Sequence, residues 1–378
     1  MKVAIISPWT ISKNAIGGTE RFVADLADSL TSLGHKVTVF MLSGEQQRIN
    51  DVEYVSLDVM GGGKIANEYD LQEIVGDFSD ESSFDNLAKK VESIVDLAAF
   101  DALHINSLLF LKAWKDKHRV FTIHTNPFEY RQAWGDEAYL KTLEVLKYEA
   151  INHDVTLTAP SFHYARVFQR LAKAPVYFIP HAIDVNRLEC SKERGELLQK
   201  YSLSSSRITL LLPSRLEPVQ KRPQLLFNAI AVLPRDKIDR LQIVSSGLDS
   251  QYAKYRNKLA GFASLHSISA TFVYFETISE AYALADAVVL PSKSESFGYS
   301  ALEALSLSKA TLLNALPTFK EIGSGNPNAY FFKDRLALSE LLSSLVEQRI
   351  ASEKVPDTWR ARYETKGWSL KYEAMLGV

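Results

Sequence analysis

The chain has 378 residues, 46% of them hydrophobic and 23% charged, with 43 Lys and Arg against 45 Asp and Glu. This is enough chain for two globular domains, and the balance excludes a disordered polymer and a strongly basic nucleic-acid binder. The single cysteine, Cys190, excludes an internal disulfide, and no Cys/His cluster offers a zinc ligand set. The opening MKVAIISPW holds an apolar run too short for a signal-peptide core, and no window approaches the roughly 18 apolar residues of a membrane helix, so a reducing cytoplasm is the expected compartment.

Short β-branched runs alternate with longer helical patterns, which predicts parallel sheets connected by helices. In the first half strands are predicted at 3–7, 36–42, 52–57, 102–106, 120–124, 155–160 and 176–180. After the first of these, SPWTISKNAIGGTERFVADLADSL leads into a helix with Phe22, Val23, Leu26, Ala27 and Leu30 on one face. Gly17 and Gly18 stand where that helix opens; glycines there permit φ > 0 and a close ligand approach, and the helix N-terminus favours an anion. A plain flexible loop fits the same residues, but the G-x-G-x-x-G turn of dinucleotide-binding dehydrogenases does not. The polar tract 61–83 reads as an exposed irregular excursion.

HAIDVNRLECSKERGELLQKYSL follows the first series of strands and places a domain boundary near residue 185. Residues 1–185 carry 18 Lys and Arg against 25 Asp and Glu, and the remainder 25 against 20, so the second domain is the side better suited to an anion. Its strands are predicted at 208–214, 241–247, 270–275, 287–292 and 310–315. The first runs into SRLEPVQKRP, which places Arg215 at a strand's carboxyl end and Lys221 and Arg222 near the next helix. Ligands bind at that edge of an open parallel sheet, and such cations suit a diphosphate.

The strand at 287–292 leads into PSKSESFGYSALEAL. Glu295 is predicted in the loop and Glu303 about two turns into a helix from Phe297 to Leu307. That spacing disfavours a shared metal or a proton-sharing dyad and suits two contacts to one long ligand, with the amides of Phe297, Gly298, Tyr299 and Ser300 available to an anion between them. Ser294 or Ser296 as an ordinary N-cap is the alternative. In the tail, Trp359, Tyr363, Trp368 and Tyr372 recur every four to five residues.

ESFGYSALE resembles the E-x7-E element of retaining GT-B glycosyltransferases, specifically glycosyltransferase family 4. GGTE, TIHTN, IPHAID, SRLEPVQK and LADAVVLPS stand in family order along nearly the whole chain. The resemblance implies two Rossmann-like doubly wound parallel-sheet domains facing a cleft: 1–185 with 357–378 for the acceptor, and 186–356 for the nucleotide-sugar. It implies transfer of a hexose-type sugar, with retention, from a UDP- or GDP-sugar to the hydroxyl of a glycan, lipid-linked, peptide or small-molecule acceptor. Glu303 would hold the ribose and Glu295 the donor sugar; Arg215 and Lys221 would neutralise the diphosphate, with Gly17 and Gly18 approaching it, so that the resemblance implies no metal and no cofactor. His124, in TIHTN, matches the family histidine near the reacting sugar and acceptor.

Arg215 and Lys221 are six residues apart where five is usual, which leaves Arg222 as a competitor. His104 and His163 match no motif and are read as structural. Trp9, Phe128, Tyr130 and Trp134 are the candidate acceptor contacts. The basic segment LKAWKDKHR (111–119) is the one candidate for peripheral contact with an inner membrane face. A non-catalytic GT-B partner subunit and a sugar-nucleotide epimerase are the alternatives; retention of both acids and the phosphate cations favours transfer.

Overall fold

A computed structural model describes residues 1–8, 17–42, 44–57, 76–125, 127–246, 248 and 250–377, with backbone alone for 128–130 and 132–134. Most of the irregular tract at 61–83 thus lies outside the described residues; its end is helical, in a helix from Glu81 to Glu92 capped by Asp80. The chain divides into two compact units, Met1–Ala182 with Tyr363–Val378, and Ile183–Arg362. Among the described residues no helix is long and apolar enough to cross a membrane.

The first unit is built on eight strands: β1 (Lys2–Ser7), β2 (Lys36–Met41), β3 (Gln47–Ile49), β4 (Val52–Ser56), β5 (Ala102–Ile105), β6 (Arg119–Thr122), β7 (Val155–Ala159) and β8 (Val176–Phe178). Their order is β3-β4-β2-β1-β5-β6-β7-β8, parallel except where β3 turns back on β4. That hairpin was not predicted. Its turn residues, Asn50 and Asp51, both take positive φ, 49° and 65°, which matches the twist of a two-residue hairpin. The central strands are buried almost end to end because helices cover both faces.

The helix Gly18–Ser32 buries the predicted face Phe22, Val23, Leu26, Ala27 and Leu30 completely. The last helix, Thr365–Leu376, packs on the same unit: Trp368 and Tyr372 each bring their rings to 5.6 Å from that of Phe22. Tyr372 also shares a hydroxyl–hydroxyl contact of 3.2 Å with Thr122 in β6. Trp359 behaves differently from Trp368. Its Nε1 donates to the Ile322 carbonyl at 2.7 Å within the second unit, so the aromatic series is shared between the two cores.

The second unit has β9 (Ile208–Leu212), β10 (Leu241–Ser245), β11 (Ser269–Phe272), β12 (Ala287–Leu290), β13 (Ala310–Asn314) and β14 (Ala329–Phe332). All pairs are parallel, in the order β11-β10-β9-β12-β13-β14. Numbered within the unit this is 3-2-1-4-5-6, the doubly wound order, and the direction of winding reverses between β9 and β12. The loops leaving those two neighbours, 213–223 and 291–298, therefore lie side by side at the sheet's carboxyl edge.

Candidate functional site

Every candidate site residue of the second unit except Glu303 stands on those two loops or at the start of the helix that follows. The first loop is organised by Glu217, whose carboxylate accepts from the amides of Val219 at 2.9 Å, Lys221 at 3.1 Å and Gln220. It is tied to the second loop by the Lys293 amide, which donates to the Gln220 carbonyl at 2.6 Å. On this frame Lys221 Nζ reaches Glu295 Oε1 at 2.7 Å, with both side chains about one-sixth exposed. The two residues were assigned to different parts of one ligand; in the structure they hold each other.

Arg222 turns the other way. Its φ is 47°, and its Nε donates to the Pro291 carbonyl at 3.0 Å, which fastens the end of β12. Burial lowers its pKa from the ordinary guanidinium value. Arg215 is exposed just beyond β9. Between the two competing cations, then, Lys221 points to the acid and Arg222 braces the loops.

The helix after the second loop runs from Tyr299 to Ser306, two residues later than predicted, and neither Ser294 nor Ser296 caps it. Gly298 is the N-cap, at φ 110° and ψ 62°. A Cβ on Gly298 would stand 2.6 Å from Cε1 of the fully buried Phe319. Gly298→Ala is therefore expected to combine backbone strain with overpacking, each roughly 1–3 kcal/mol, read as a lower urea midpoint with unchanged slope. A wild-type midpoint would show that Phe319 yields without cost.

Glu303 sits in the second turn and is 4% exposed. The hydroxyl of Tyr282, itself fully buried, donates to Glu303 Oε2 at 2.5 Å and lies 3.3 Å from the Ser300 carbonyl. Neither Tyr282 nor Glu217 was singled out in the sequence. Glu217 lies inside SRLEPVQK, where asking what caps that turn finds it; Tyr282 is 21 residues from its partner and gives no local signal.

In the first unit, Gly17 has φ −82° and ψ 152°, so its backbone does not require glycine. What stands there is the Glu20 carboxylate, with Oε2 only 2.0 Å from an ideal Cβ on Gly17. The expectation of a positive φ is corrected accordingly. Glu20 is a first-turn acid at the positive end of the helix that begins with Gly18.

His124 lies past β6 and Asn106 past β5, next to each other at the carboxyl edge. Asn106 Nδ2 donates to the Ile6 carbonyl at 3.1 Å, which aims its Oδ1 at His124 Nε2, 3.1 Å away. The Asn106 carbonyl oxygen only accepts, so Nε2 carries the proton and Nδ1 keeps its lone pair. Phe22 is ringed by histidines: His124 at 4.5 Å, His181 at 4.7 Å and His104 at 5.7 Å between centroids. Burial pushes His104 and His124 down to about 3 and His181 well below the ordinary value. His104, fully buried, shares a hydrogen bond with Thr122 Oγ1 at 2.9 Å. His181, quoted in IPHAID without a role, joins His124 as a stacked neighbour at 5.5 Å.

These histidines set an acid limit. The unfolded chain takes up protons near pH 6.5, whereas folded His104 resists until about 3. Their contribution to stability is thus constant above pH 6.5 and falls as pH drops through that window, by up to about 1.4 kcal/mol per pH unit for each such group. Urea unfolding at pH 7, 6 and 5 measures the slope, and His104→Asn is expected to make it shallower. A pH-independent midpoint over that range would contradict the buried neutral state.

Trp9 lies outside the described residues. Phe128, Tyr130 and Trp134 fall in the helical stretch Pro127–Asn152 with their side chains outside them. Three of the four Lys and Arg side chains of the basic segment 111–119 are paired with acids elsewhere in the first unit: Lys112 with Glu81 and Asp85, and Lys115 and the fully buried Arg119 with Glu149. Among the described residues no group of three or more His, Cys, Asp or Glu side chains could hold a metal ion.

Comparison with known proteins bears on both units. The family model Glycosyltransferase Family 4 matches residues 16–187, and Glycosyl transferases group 1 matches residues 193–362. D-inositol 3-phosphate glycosyltransferases are similar over part of the chain. The one from Actinosynnema mirum is 28% identical over 140 residues, 35% of this chain and 33% of its own length. The one from Geodermatophilus obscurus is 32% identical over 136 residues, 33% of this chain and 30% of its own. The similarity thus spans about a third of the length of these curated relatives.

Solved structures share the fold over almost the full length. Sucrose-phosphate synthase from Thermosynechococcus elongatus aligns with TM-score 0.77 at 18% identity, covering 99% of this chain and 98% of that one. Anabaena Alr3699/HepE in complex with UDP and glucose aligns with TM-score 0.74 at 16% identity, covering 100% and 99%. The two family models lie end to end over nearly the whole chain, and each unit has the doubly wound sheet that the GT-B fold requires. The chain belongs to the family 4/group 1 glycosyltransferases of the GT-B fold.

Proposed function

We propose that the chain is a retaining glycosyltransferase that moves a hexose-type sugar from a UDP- or GDP-sugar to an acceptor hydroxyl in the cytoplasm. The observation that carries this reading is the meeting of Lys221 and Glu295 across the β9 and β12 loops, with Glu303 anchored by Tyr282 one helix away. A cation for phosphate, an acid for sugar hydroxyls and an acid for ribose hydroxyls are then supplied by one sheet edge. The UDP complexes of Anabaena Alr3699/HepE, a structure of the same fold, agree with such a donor.

Each group has a task that its chemistry allows. As the glycosidic bond breaks, negative charge grows on the departing diphosphate; Lys221, Arg215 and the amides at the start of the Tyr299–Ser306 helix oppose it. Glu303 accepts from the vicinal ribose hydroxyls, and Glu295 accepts from the sugar and fixes its pose. His124, neutral at physiological pH, offers a hydrogen-bond acceptor at Nδ1 rather than a charge. Gly17 and Gly18 are assigned to the diphosphate, and Trp9, Phe128 and Tyr130 to the acceptor. Attack from the face that the diphosphate leaves gives retention. Cationic side chains serve the diphosphate, so we propose no metal.

The test is a screen of UDP-, GDP- and ADP-sugars for slow release of nucleoside diphosphate, followed by acceptors with the donor so found. The anomeric configuration of the product, read by NMR, is expected to match the donor. Binding of no nucleotide-sugar at millimolar concentration would overturn the proposal, and an inverted product would overturn its stereochemistry.

A further inference from the structure

We propose that Glu295 makes the site discriminate a sugar-bearing nucleotide from the bare nucleoside diphosphate, by occupying Lys221 whenever no sugar is present. The inference rests on the proposed role of Lys221 as a diphosphate ligand and goes beyond it, because it assigns to the acid a second, opposing effect on product binding.

The contact is a built one. Lys221 Nζ and Glu295 Oε1 are 2.7 Å apart with side chains 16% and 15% exposed, so water screens them less than it does a surface pair. Both backbones are held. Glu217 fixes the amide of Lys221, the Lys293 amide bonds to the Gln220 carbonyl, and Gln220 Nε2 donates to the Ser294 carbonyl at 3.4 Å, one residue before the acid. The pair is thus a property of two joined loops.

A diphosphate that arrives at Lys221 meets a carboxylate already bonded to the same ammonium. Either the pair opens and Glu295 gives up its cation, or two anions share one cation at close range; both weaken binding. A sugar on the terminal phosphate changes the balance, because its hydroxyls donate to Glu295 and replace what the ammonium provided. The same carboxylate that orients the donor therefore opposes the product once the sugar has left. Release of the nucleoside diphosphate is favoured as Lys221 and Glu295 close on each other again.

The experiment is calorimetric titration of wild type, Glu295→Gln and Lys221→Met with two pairs of probes, UDP with UDP-glucose and GDP with GDP-mannose, using the pair that wild type binds more tightly. Glu295→Gln is expected to bind the bare diphosphate about tenfold more tightly than wild type and the sugar nucleotide no more tightly, so that the preference for the sugar nucleotide collapses. Glu295→Ala serves as a second variant should the amide pack poorly. If Lys221→Met weakens the diphosphate but neither Glu295 variant tightens it, this inference is wrong while the site assignment stands. If Lys221→Met leaves the diphosphate unaffected, or neither pair binds wild type, the assignment of Lys221 itself fails and the inference with it.

Discussion

Glu295→Ala is expected to lower turnover at saturating donor by about 10- to 100-fold, because a carboxylate's hydrogen bonds to sugar hydroxyls are worth roughly 1.5–3 kcal/mol and are needed in the reacting pose. The fold is expected to survive. Glu295 lies in a loop, and its partly exposed pair with Lys221 contributes at most about 1 kcal/mol, which moves the thermal midpoint of a unit this size by no more than about 2–4 °C. Steady-state kinetics with thermal unfolding on the same preparation separates the two effects. Wild-type turnover would remove Glu295 from the reacting sugar; a collapse of the melting transition would make its role structural.

Glu303→Ala is expected to weaken nucleoside diphosphate binding by about 10- to 100-fold, from the loss of the ribose hydroxyl contacts. It also takes from the buried Tyr282 hydroxyl its 2.5 Å acceptor, so a stability loss of about 1–3 kcal/mol accompanies it. Glu303→Gln separates these: it keeps an acceptor for Tyr282 but lacks the charge that makes the ribose contacts strong. Calorimetry with UDP or GDP is expected to show the affinity loss in both variants, while urea unfolding shows the stability loss mainly in the alanine. Equal affinity in Glu303→Gln and wild type would detach the carboxylate's charge from ribose recognition.

Much of the fold was legible because parallel strands buried on both faces leave near-continuous apolar runs, as at VAIIS, KVTVF and AVVLP, and these mark the sheet without help from partners. β3 and β14 were not predicted. QRI has no apolar run; AYFF is apolar but short, and at the sheet edge only its Phe332 is buried. The resemblance assigned the whole tail, 357–378, to the first domain; Trp368 and Tyr372 meet Phe22, while Trp359 meets the Ile322 carbonyl in the second unit. Spacing cannot say which of two cores a ring enters.

The candidate site was legible in its residue types and less so in its pairings. Lys221 and Glu295 are 74 residues apart, and only the adjacency of β9 and β12 brings their loops together. Asn106, which sets the tautomer of His124, lies 18 residues from it on a neighbouring strand's end. Gly298 was noted for its amide, whereas its φ of 110° and the ring of Phe319 are what demand glycine there.

Crystals of the chain soaked with UDP or GDP test most directly where the donor is held. The diphosphate is predicted between the 213–223 and 291–298 loops, on Arg215, Lys221 and the amides of Phe297 to Ser300, with the ribose hydroxyls on Glu303. A nucleotide bound away from that edge of the second unit's sheet, or none bound at millimolar concentration, would contradict it.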